Sequence, residues 1–413
     1  MSFVNLDELP RTRPTSVNDL CELVRGAAAN GQAIYPRGGR TMLDFGLPPM
    51  KPGIAIDLTA LDQVIDYPAR DMTLTVQAGI TIARLQEILA KENQRLPIDV
   101  PLPEWMTLGG ALACNVSGPR RYGYGTFRDY VIGISVVNDR GQETKAGGRV
   151  VKNVAGYDLC KLHIGALGTL GIITQVTLKV LPKPEESTLA MIDCQRAEDL
   201  SLLLERLHGA KTRPVSMTVK TKLVSVKHAS LGPDPTSTEG WRVVVGFEDN
   251  RAAVAWQIDQ LQKELASEWP TRYIPSDGGA EPIWQGLAAF PALAGGLTFK
   301  ANVLPSTTAE FCRQALTLVG KDPILQAEAG NGIVIGHLLG DRTLEQAKGV
   351  IAALRNQAIQ AYGNLILTRC PDEWKAELGV WGAPRGDWDL MRRIKRQLDP
   401  QNLFNPGRFV GGI

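Results

Sequence analysis

Clustered cysteine is the first thing the 413-residue chain lacks: Cys21, Cys114, Cys160, Cys194, Cys312 and Cys370 are scattered, with no C-x-x-C pair among them. Disulfide scaffolds, zinc sites and protein-ligated iron–sulfur clusters all need grouped thiolates, so the sequence argues against each and points to a reducing compartment. It also lacks an excess charge of either sign, since 45 Lys plus Arg stand against 43 Asp plus Glu for a formal net charge of +2. That is too near neutral for a nucleic-acid binder that works by neutralising phosphates. There is no apolar run of about 18 residues, and Met1 to Pro14 mixes Asp7, Glu8, Arg11 and Arg13 with two prolines, so neither a membrane span nor a signal peptide is expected. The expected location is cytoplasmic, with any membrane association indirect and through partners.

Familiar catalytic signatures are absent as well. No G-x-x-x-x-G-K-[ST] occurs, no G-x-G-x-x-G follows the first strand, and neither G-x-S-x-G nor H-E-x-x-H is present. P-loop ATPases, ordinary Rossmann NAD enzymes, serine hydrolases and zinc proteases are thereby disfavoured. Asn115-Val-Ser117 matches a glycosylation sequon in form only, given the lack of a secretory signal. Histidine is scarce, and His163, His208, His228 and His337 stand singly; no metal site is expected.

What is abundant is glycine. The chain has 42, about 10% against the usual ~7%, and many lie between Gly38 and Gly171. With 44% hydrophobic residues, a chain of this length is expected to fold as two or three cores. Residues 16–30 read as a helix capped by Ser16, with Leu20, Leu23, Val24 and Ala27 on one face. A short strand, Gln32 to Tyr35, then runs into Pro36-Arg-Gly-Gly-Arg-Thr41. Gly53 to Leu58 and Thr73 to Val76 are strand-like, and Thr81 to Glu92 has helical spacing through Ile82, Leu85, Ile88 and Leu89. From Pro97 to Gly171 glycines punctuate the chain, with a strand Val131 to Asn138, a hairpin turn at Asp139 to Gly141, and a strand Ile172 to Leu181.

The prolines and charges of Pro182 to Glu186 read as a linker. Beyond it, strands at Leu189 to Asp193, Val215 to Val219, Trp241 to Phe247, Leu297 to Leu304, Gly332 to Leu339 and Asn364 to Thr368 alternate with helices. These helices are expected at Ala197 to Leu207, Asn250 to Glu268, Thr308 to Leu318 and Leu344 to Gln360. The texture predicts an α+β domain with an antiparallel sheet. Asp387 to Leu398 reads as a basic amphipathic helix, with Leu390, Ile394 and Leu398 apolar and Arg392, Arg393, Lys395 and Arg396 polar. Trp374, Trp381 and Trp388 are seven apart, but Gly379, Gly382 and Pro384 break any heptad helix through them.

The sharpest chemical signal is Pro36, Arg37, Gly38, Gly39, Arg40 and Thr41 directly after a strand. Consecutive glycines let neighbouring backbone N–H groups turn toward one point, forming a nest for an anion such as a diphosphate. Leu108-Gly109-Gly110, Asn115 to Gly118 and Gly165 to Gly171 offer further places where backbone can approach a ligand closely. His337 follows a buried-looking strand and is the candidate to line a cleft.

Taken with Pro101 to Gly118, Arg121-Tyr-Gly123, Val151 to Leu159, Gly165 to Thr174 and the closing Asp399 to Arg408, these residues resemble the vanillyl-alcohol-oxidase-type (PCMH) FAD-binding flavoproteins. Within them the chain is most similar to the FAD-binding E subunits of glycolate oxidase (glycolate dehydrogenase). The resemblance implies a PCMH-type FAD-binding domain of two α+β subdomains at residues 1–185, an α+β cap domain with an antiparallel sheet at 186–385, and a C-terminal helix and tail at 386–413 returning to the FAD domain. It implies FAD contacts from Pro36, Arg37, Gly38, Gly39, Arg40, Thr41, Pro101, Thr107, Leu108, Gly109, Gly110, Asn115, Ser117, Gly118, Tyr122, Gly123, Gly168, Thr169, Gly171, Ile172 and Asn405. Members that attach flavin covalently carry a histidine in the first glycine loop or a cysteine later; here the loop has Arg40 and Thr41, so non-covalent FAD is expected.

The resemblance also implies a multi-subunit enzyme that oxidises a small 2-hydroxy acid such as glycolate. A paralogous flavin subunit and an iron–sulfur subunit would be its partners, the latter carrying the electron relay that unclustered cysteines here cannot ligate. Two alternatives stand beside it. One is a self-sufficient FAD-dependent 2-hydroxy-acid or alcohol oxidoreductase, with His337 as base and Arg369, Lys300 or Arg385 pairing the substrate carboxylate. The other is a non-catalytic scaffold. The departures bear on that choice: Gly336 to Asp341 keeps His337 but lacks the partner histidine of related catalytic subunits, and Gly165 to Gly168 lacks their common Ser-Glu.

Overall fold

Ser16 does start a helix, α1 (Val17–Ala29): its side chain accepts from Asp19 N at 3.1 Å while the Asp19 carboxylate accepts from Ser16 N at 3.1 Å. This reciprocal cap satisfies two otherwise orphaned donors of the first turn. Leu20, Val24 and Ala27 then point inward. The computed structural model describes residues 4, 6–148, 157–221, 240–265, 268–293, 295–319 and 323–413. Of the expected motif Val151 to Leu159, residues 151–156 lie outside the described residues.

The chain divides into two units. The first comprises Met1–Val116, Thr126–Lys183 and Ala383–Ile413. Its smaller sheet has three parallel strands, β1 (Arg11–Thr12), β2 (Ala33–Arg37) and β3 (Gly53–Asp57), in the order β1-β3-β2. Its larger sheet is antiparallel, built from β4 (Val64–Asp66), β5 (Thr73–Gln77), β6 (Val131–Val137), β7 (Glu143–Gly147) and β8 (Ile172–Lys179) in the order β4-β5-β8-β6-β7. Helices α2 (Ile82–Ala90) and α3 (Leu108–Cys114) complete the set used below. Leu20, Val24, Ile34, Ile56, Val137, Ile172, Leu403 and Phe404 share one core cluster, which joins both sheets to the C-terminal tail. Burying a side chain such as Phe404 contributes about 1.5–3 kcal/mol.

The second unit comprises Ser117–Gly125 and Pro184–Gly382. One antiparallel sheet runs through it, formed by β9 (Glu186–Cys194), β10 (Ser216–Thr221), β11 (Trp241–Asp249), β12 (Thr271–Ile274), β13 (Leu297–Asn302), β14 (Pro323–Glu328), β15 (Ile333–Leu338) and β16 (Asn364–Arg369), in the order β12-β9-β11-β10-β14-β15-β13-β16. The sequence reading missed β12 and β14; β14 opens on Pro323 and sets Gln326 and Glu328 among its apolar residues, so it lacks a strand's plain alternation. Helices α4 (Ala197–Gly209), α5 (Arg251–Leu265), α7 (Thr308–Val319) and α8 (Leu344–Gln360) touch the sheet, and α6 (Ala280–Ala289) packs Trp284 and Leu287 against Leu189 and Val244. The mixed α+β class with an antiparallel second sheet is as expected.

Two local expectations are corrected. Ser117–Gly125, expected in the first domain, belongs to the second unit, because Gly123 N donates to Val215 O at 2.9 Å and Arg120 Nε donates to Glu248 Oε1 at 2.8 Å. The final helix α9 (Trp388–Leu398) keeps Arg393 and Arg396 exposed as expected but exchanges two positions: Lys395 is 5% exposed while Leu390 is 51% exposed. Lys395 goes inward because acceptors inside satisfy its ammonium, as described next. Among the described residues no helix is long and apolar enough to cross a membrane.

Candidate functional site

The glycine loop closes against a second segment of the same unit. Strand β2 ends at buried Arg37, whose carbonyl accepts from Leu58 N at 2.8 Å. A Cβ on Gly38 would lie 2.0 Å from Thr107 Oγ1, and one on Gly39 only 1.6 Å from the Trp105 carbonyl oxygen. These two glycines are therefore required by the close approach of residues 105–107, a reason distinct from the ligand contact expected of them. The loop then leaves the backbone N–H groups of Gly38, Gly39 and Thr41 without an acceptor among the described residues. Donors clustered in this way suit an anion.

Thr107 is the N-cap of α3, its Oγ1 accepting from Gly110 N at 3.3 Å. Gly109 and Gly110, expected as places of close backbone approach, occupy the first helical turn, and the N-terminal end of α3 lies at the same place as the glycine loop. Together these elements line a cleft that opens to solvent. Its walls include Pro36, Arg37, Gly38, Gly39, Arg40, Thr41, Thr107, Gly109, Gly110, Gly168, Gly171, Ile172 and Asn405, all expected from the sequence.

The C-terminal tail supplies one wall. Asn405 N donates to Ile34 O at 2.9 Å and its Nδ2 to Leu167 O at 2.6 Å, while Oδ1 is buried with no hydrogen-bond partner. Arg408, which the sequence reading did not single out, donates to the carbonyls of Leu43, Phe45 and Leu47 and so fixes the loop after Thr41. Both it and Cys114 line the cleft. Burial pushes the Cys114 thiol up to about 12, so it stays protonated at neutral pH and is a poor nucleophile.

Other expected residues are placed elsewhere. Leu108 is fully buried, and Thr169 spends its hydroxyl on Ala166 O at 2.7 Å; neither these nor Pro101 lines the cleft. Asn115 ends α3 in a left-handed conformation, with its buried Oδ1 also unpartnered. Ser117, Gly118, Tyr122 and Gly123 belong to the second unit, where Ser117 Oγ accepts from Arg121 Nη1 at 3.3 Å and the Tyr122 ring covers Gly330 so closely that a Cβ there would sit 2.4 Å away.

His337 also lies in the second unit, fully buried on β15. Its Nε2 is 2.9 Å from Phe290 O and its Nδ1 is 3.0 Å from Thr298 Oγ1. The carbonyl can only accept, so Nε2 carries the hydrogen and Nδ1 accepts from the threonine. Burial pushes its pKa down to about 4. A base needs a free nitrogen facing the reacting proton, and both ring nitrogens here are taken up by the protein. On the neighbouring strand β13, Lys300 has no hydrogen bond or ion pair to the described residues, and burial together with nearby Arg121 pushes its pKa down to about 8. Arg369 donates to Leu293 O at 3.0 Å, and Arg385, in the first unit, is exposed and pairs with Asp387 at 3.1 Å.

The first unit's donor set fits FAD: three free backbone N–H groups for a diphosphate, and an orphaned buried acceptor, Asn405 Oδ1, for a hydroxyl or N–H. Comparison with known proteins agrees. Residues 11–147 match the family described as FAD binding domain, and residues 381–409 match the family described as FAD linked oxidases, C-terminal domain. The chain is 25% identical over 421 residues to glycolate oxidase subunit GlcD of Bacillus subtilis, covering 96% of this chain and 87% of that one. It is 32% identical over 187 residues to glycolate oxidase subunit GlcE of Escherichia coli, covering 45% and 53%. Its fold is like that of alkyldihydroxyacetonephosphate synthase, with a TM-score of 0.70 at 18% identity over 97% of this chain and 77% of the other.

Proposed function

We propose that this chain is an FAD-binding subunit of a multi-subunit 2-hydroxy-acid dehydrogenase, with glycolate as the first candidate substrate and glyoxylate as product; its matches to the FAD binding domain and to the C-terminal domain of FAD linked oxidases support an FAD-dependent oxidoreductase acting on CH–OH donors. FAD when bound supplies a two-electron acceptor for the substrate hydride. The chain holds it non-covalently through the glycine loop of Pro36 to Thr41, the first turn of α3 and the tail residue Asn405. The partners are a paralogous flavin subunit, which carries the hydroxy-acid chemistry, and an iron–sulfur subunit, which takes the electrons on.

The observation that supports the subunit reading is His337. With Nε2 on Phe290 O and Nδ1 on Thr298 Oγ1, it has no lone pair to accept a substrate hydroxyl proton. A second reading, a self-sufficient 2-hydroxy-acid oxidoreductase, is favoured by Lys300, a largely desolvated cation without a protein acceptor that suits a substrate carboxylate. Anaerobic titration of the purified, FAD-loaded chain with glycolate and with D-lactate separates the two. Under the subunit reading the flavin's visible absorbance stays until the paralogous subunit is added. Bleaching of the chain alone would overturn that reading and establish the second.

A further inference from the structure

Lys395 is the feature of the first unit that the cofactor reading leaves unused. Its ammonium is buried, and its three N–H donors go to Asp399 Oδ2 at 2.6 Å, Thr169 O at 2.8 Å and Phe404 O at 2.9 Å. Asp399 in turn accepts from Leu403 N at 2.9 Å and Phe404 N at 2.8 Å. The pair therefore grips two strips of chain at once. One is the tail 403–405, which also lies alongside β2 through Ile34 N donating to Leu403 O at 2.7 Å. The other is the turn 167–169, whose Leu167 carbonyl accepts from Asn405 Nδ2.

Those strips are cleft walls. Leu167, Gly168 and Asn405 line the cleft and Lys395 does not. Asn405 sits in a left-handed conformation, φ 40°, which asparagine tolerates better than other residues with a side chain. The grip holds the residues before it and the turn it donates to, and its buried Oδ1 has no donor among the described residues to accept from.

We propose that Lys395 is a positioning residue for the cofactor, clamping the C-terminal tail to the 167–169 turn so that Asn405 Oδ1 accepts a hydrogen bond from a hydroxyl or N–H of bound FAD. The inference rests on the FAD reading of this cleft. Removing the clamp leaves the phosphate-binding loop intact and lets Asn405 relax, so FAD is held less tightly and leaves faster.

The test uses the full chain stripped of flavin and titrated with FAD, with the dissociation constant read from the change in flavin fluorescence and folding from far-ultraviolet circular dichroism. In the paired variant Lys395→Met/Asp399→Asn no charge is left buried alone. It is expected to raise Kd about tenfold, as is Asn405→Ala, each by losing roughly one hydrogen bond's worth of affinity. Combined, they are expected to weaken binding by no more than about twofold beyond Asn405→Ala alone, because both act through one contact. A purely structural Lys395 would give factors that multiply. An unchanged Kd in the paired variant, or full multiplication, overturns the proposal. If the paired variant does not fold, Lys395→Gln/Asp399→Asn, which keeps side-chain donors at residue 395 and likewise leaves no charge buried alone, replaces it: a rise of about threefold or more supports the proposal and no rise overturns it. A parent chain that binds no FAD would overturn the cofactor reading instead.

Discussion

A single histidine shows how much a residue's neighbours decide its chemistry. His337 is held neutral by burial, with its tautomer fixed by one acceptor and one donor. In the unfolded chain it takes a proton near the ordinary imidazole value of 6.5, and in the fold only near 4. The unfolded state therefore binds more protons between those values, and stability falls as pH drops through that window. The loss from this residue is at most about 3 kcal/mol on the linkage relation. His163 behaves likewise, its pKa also pushed down to about 4 by burial. In urea melts across this range, His337→Asn is expected to flatten the acid-side fall in part and leave the His163 share. A pH dependence unchanged from the parent chain would contradict the assignment. None of this was readable from Gly336 to Asp341, where the motif named the histidine but Phe290 and Thr298, its partners, are distant in sequence.

Strand β13 carries its information as an alternation. Phe299 and Ala301 are fully buried on one face, while Thr298, Lys300 and Asn302 share the other. Lys300 is thereby placed opposite Ile335 with its ammonium unanswered by any described residue. If the chain binds a 2-hydroxy acid itself, Lys300→Met is expected to raise KM by about 10- to 100-fold, the loss of a charged hydrogen bond. Its pKa lies near 8, so affinity for the carboxylate should fall as pH rises through that value, and the variant should lack this dependence. Initial rates with D-lactate or glycolate across pH 6 to 10 provide the check, and a KM unaffected by the substitution would remove Lys300 from substrate recognition. Periodicity made β13 legible. It gave no sign of α3, where Thr107 caps a helix that starts on two glycines, and it misled at α9, where Lys395 was assigned to the polar face because sequence cannot supply the three buried acceptors that draw it in.

For the whole molecule, the cleft walls come from separated stretches of the first unit, around residues 36–45, 107–114, 167–173 and 405–408. The glycine-rich stretches were legible because tight backbone contact leaves few residue choices; Arg408 was not, since its carbonyl partners at Leu43, Phe45 and Leu47 are distant in sequence. A protonated Cys114 and the absence of histidine from the loop support the proposal that FAD is held non-covalently. Acid precipitation is accordingly expected to release all the flavin into the supernatant, measured by its absorbance there. Colour retained in the washed pellet would show a covalent link.

Because Gly38 and Arg408 both line the cleft, it cannot close before residue 408 has been synthesised. At a synthesis rate of about 5–20 residues per second, some 20 to 75 s separate the emergence of the glycine loop from that of the tail residues that wall it. During that interval Pro184–Gly382, a continuous stretch, is free to form its own sheet. A nascent chain thus presents β2 with its tail-side edge uncovered, Ile34 still awaiting Leu403 and Asn405. Cofactor capture therefore waits on residues 405–408, and until they arrive the edge of β2 that Leu403 and Asn405 cover stays open.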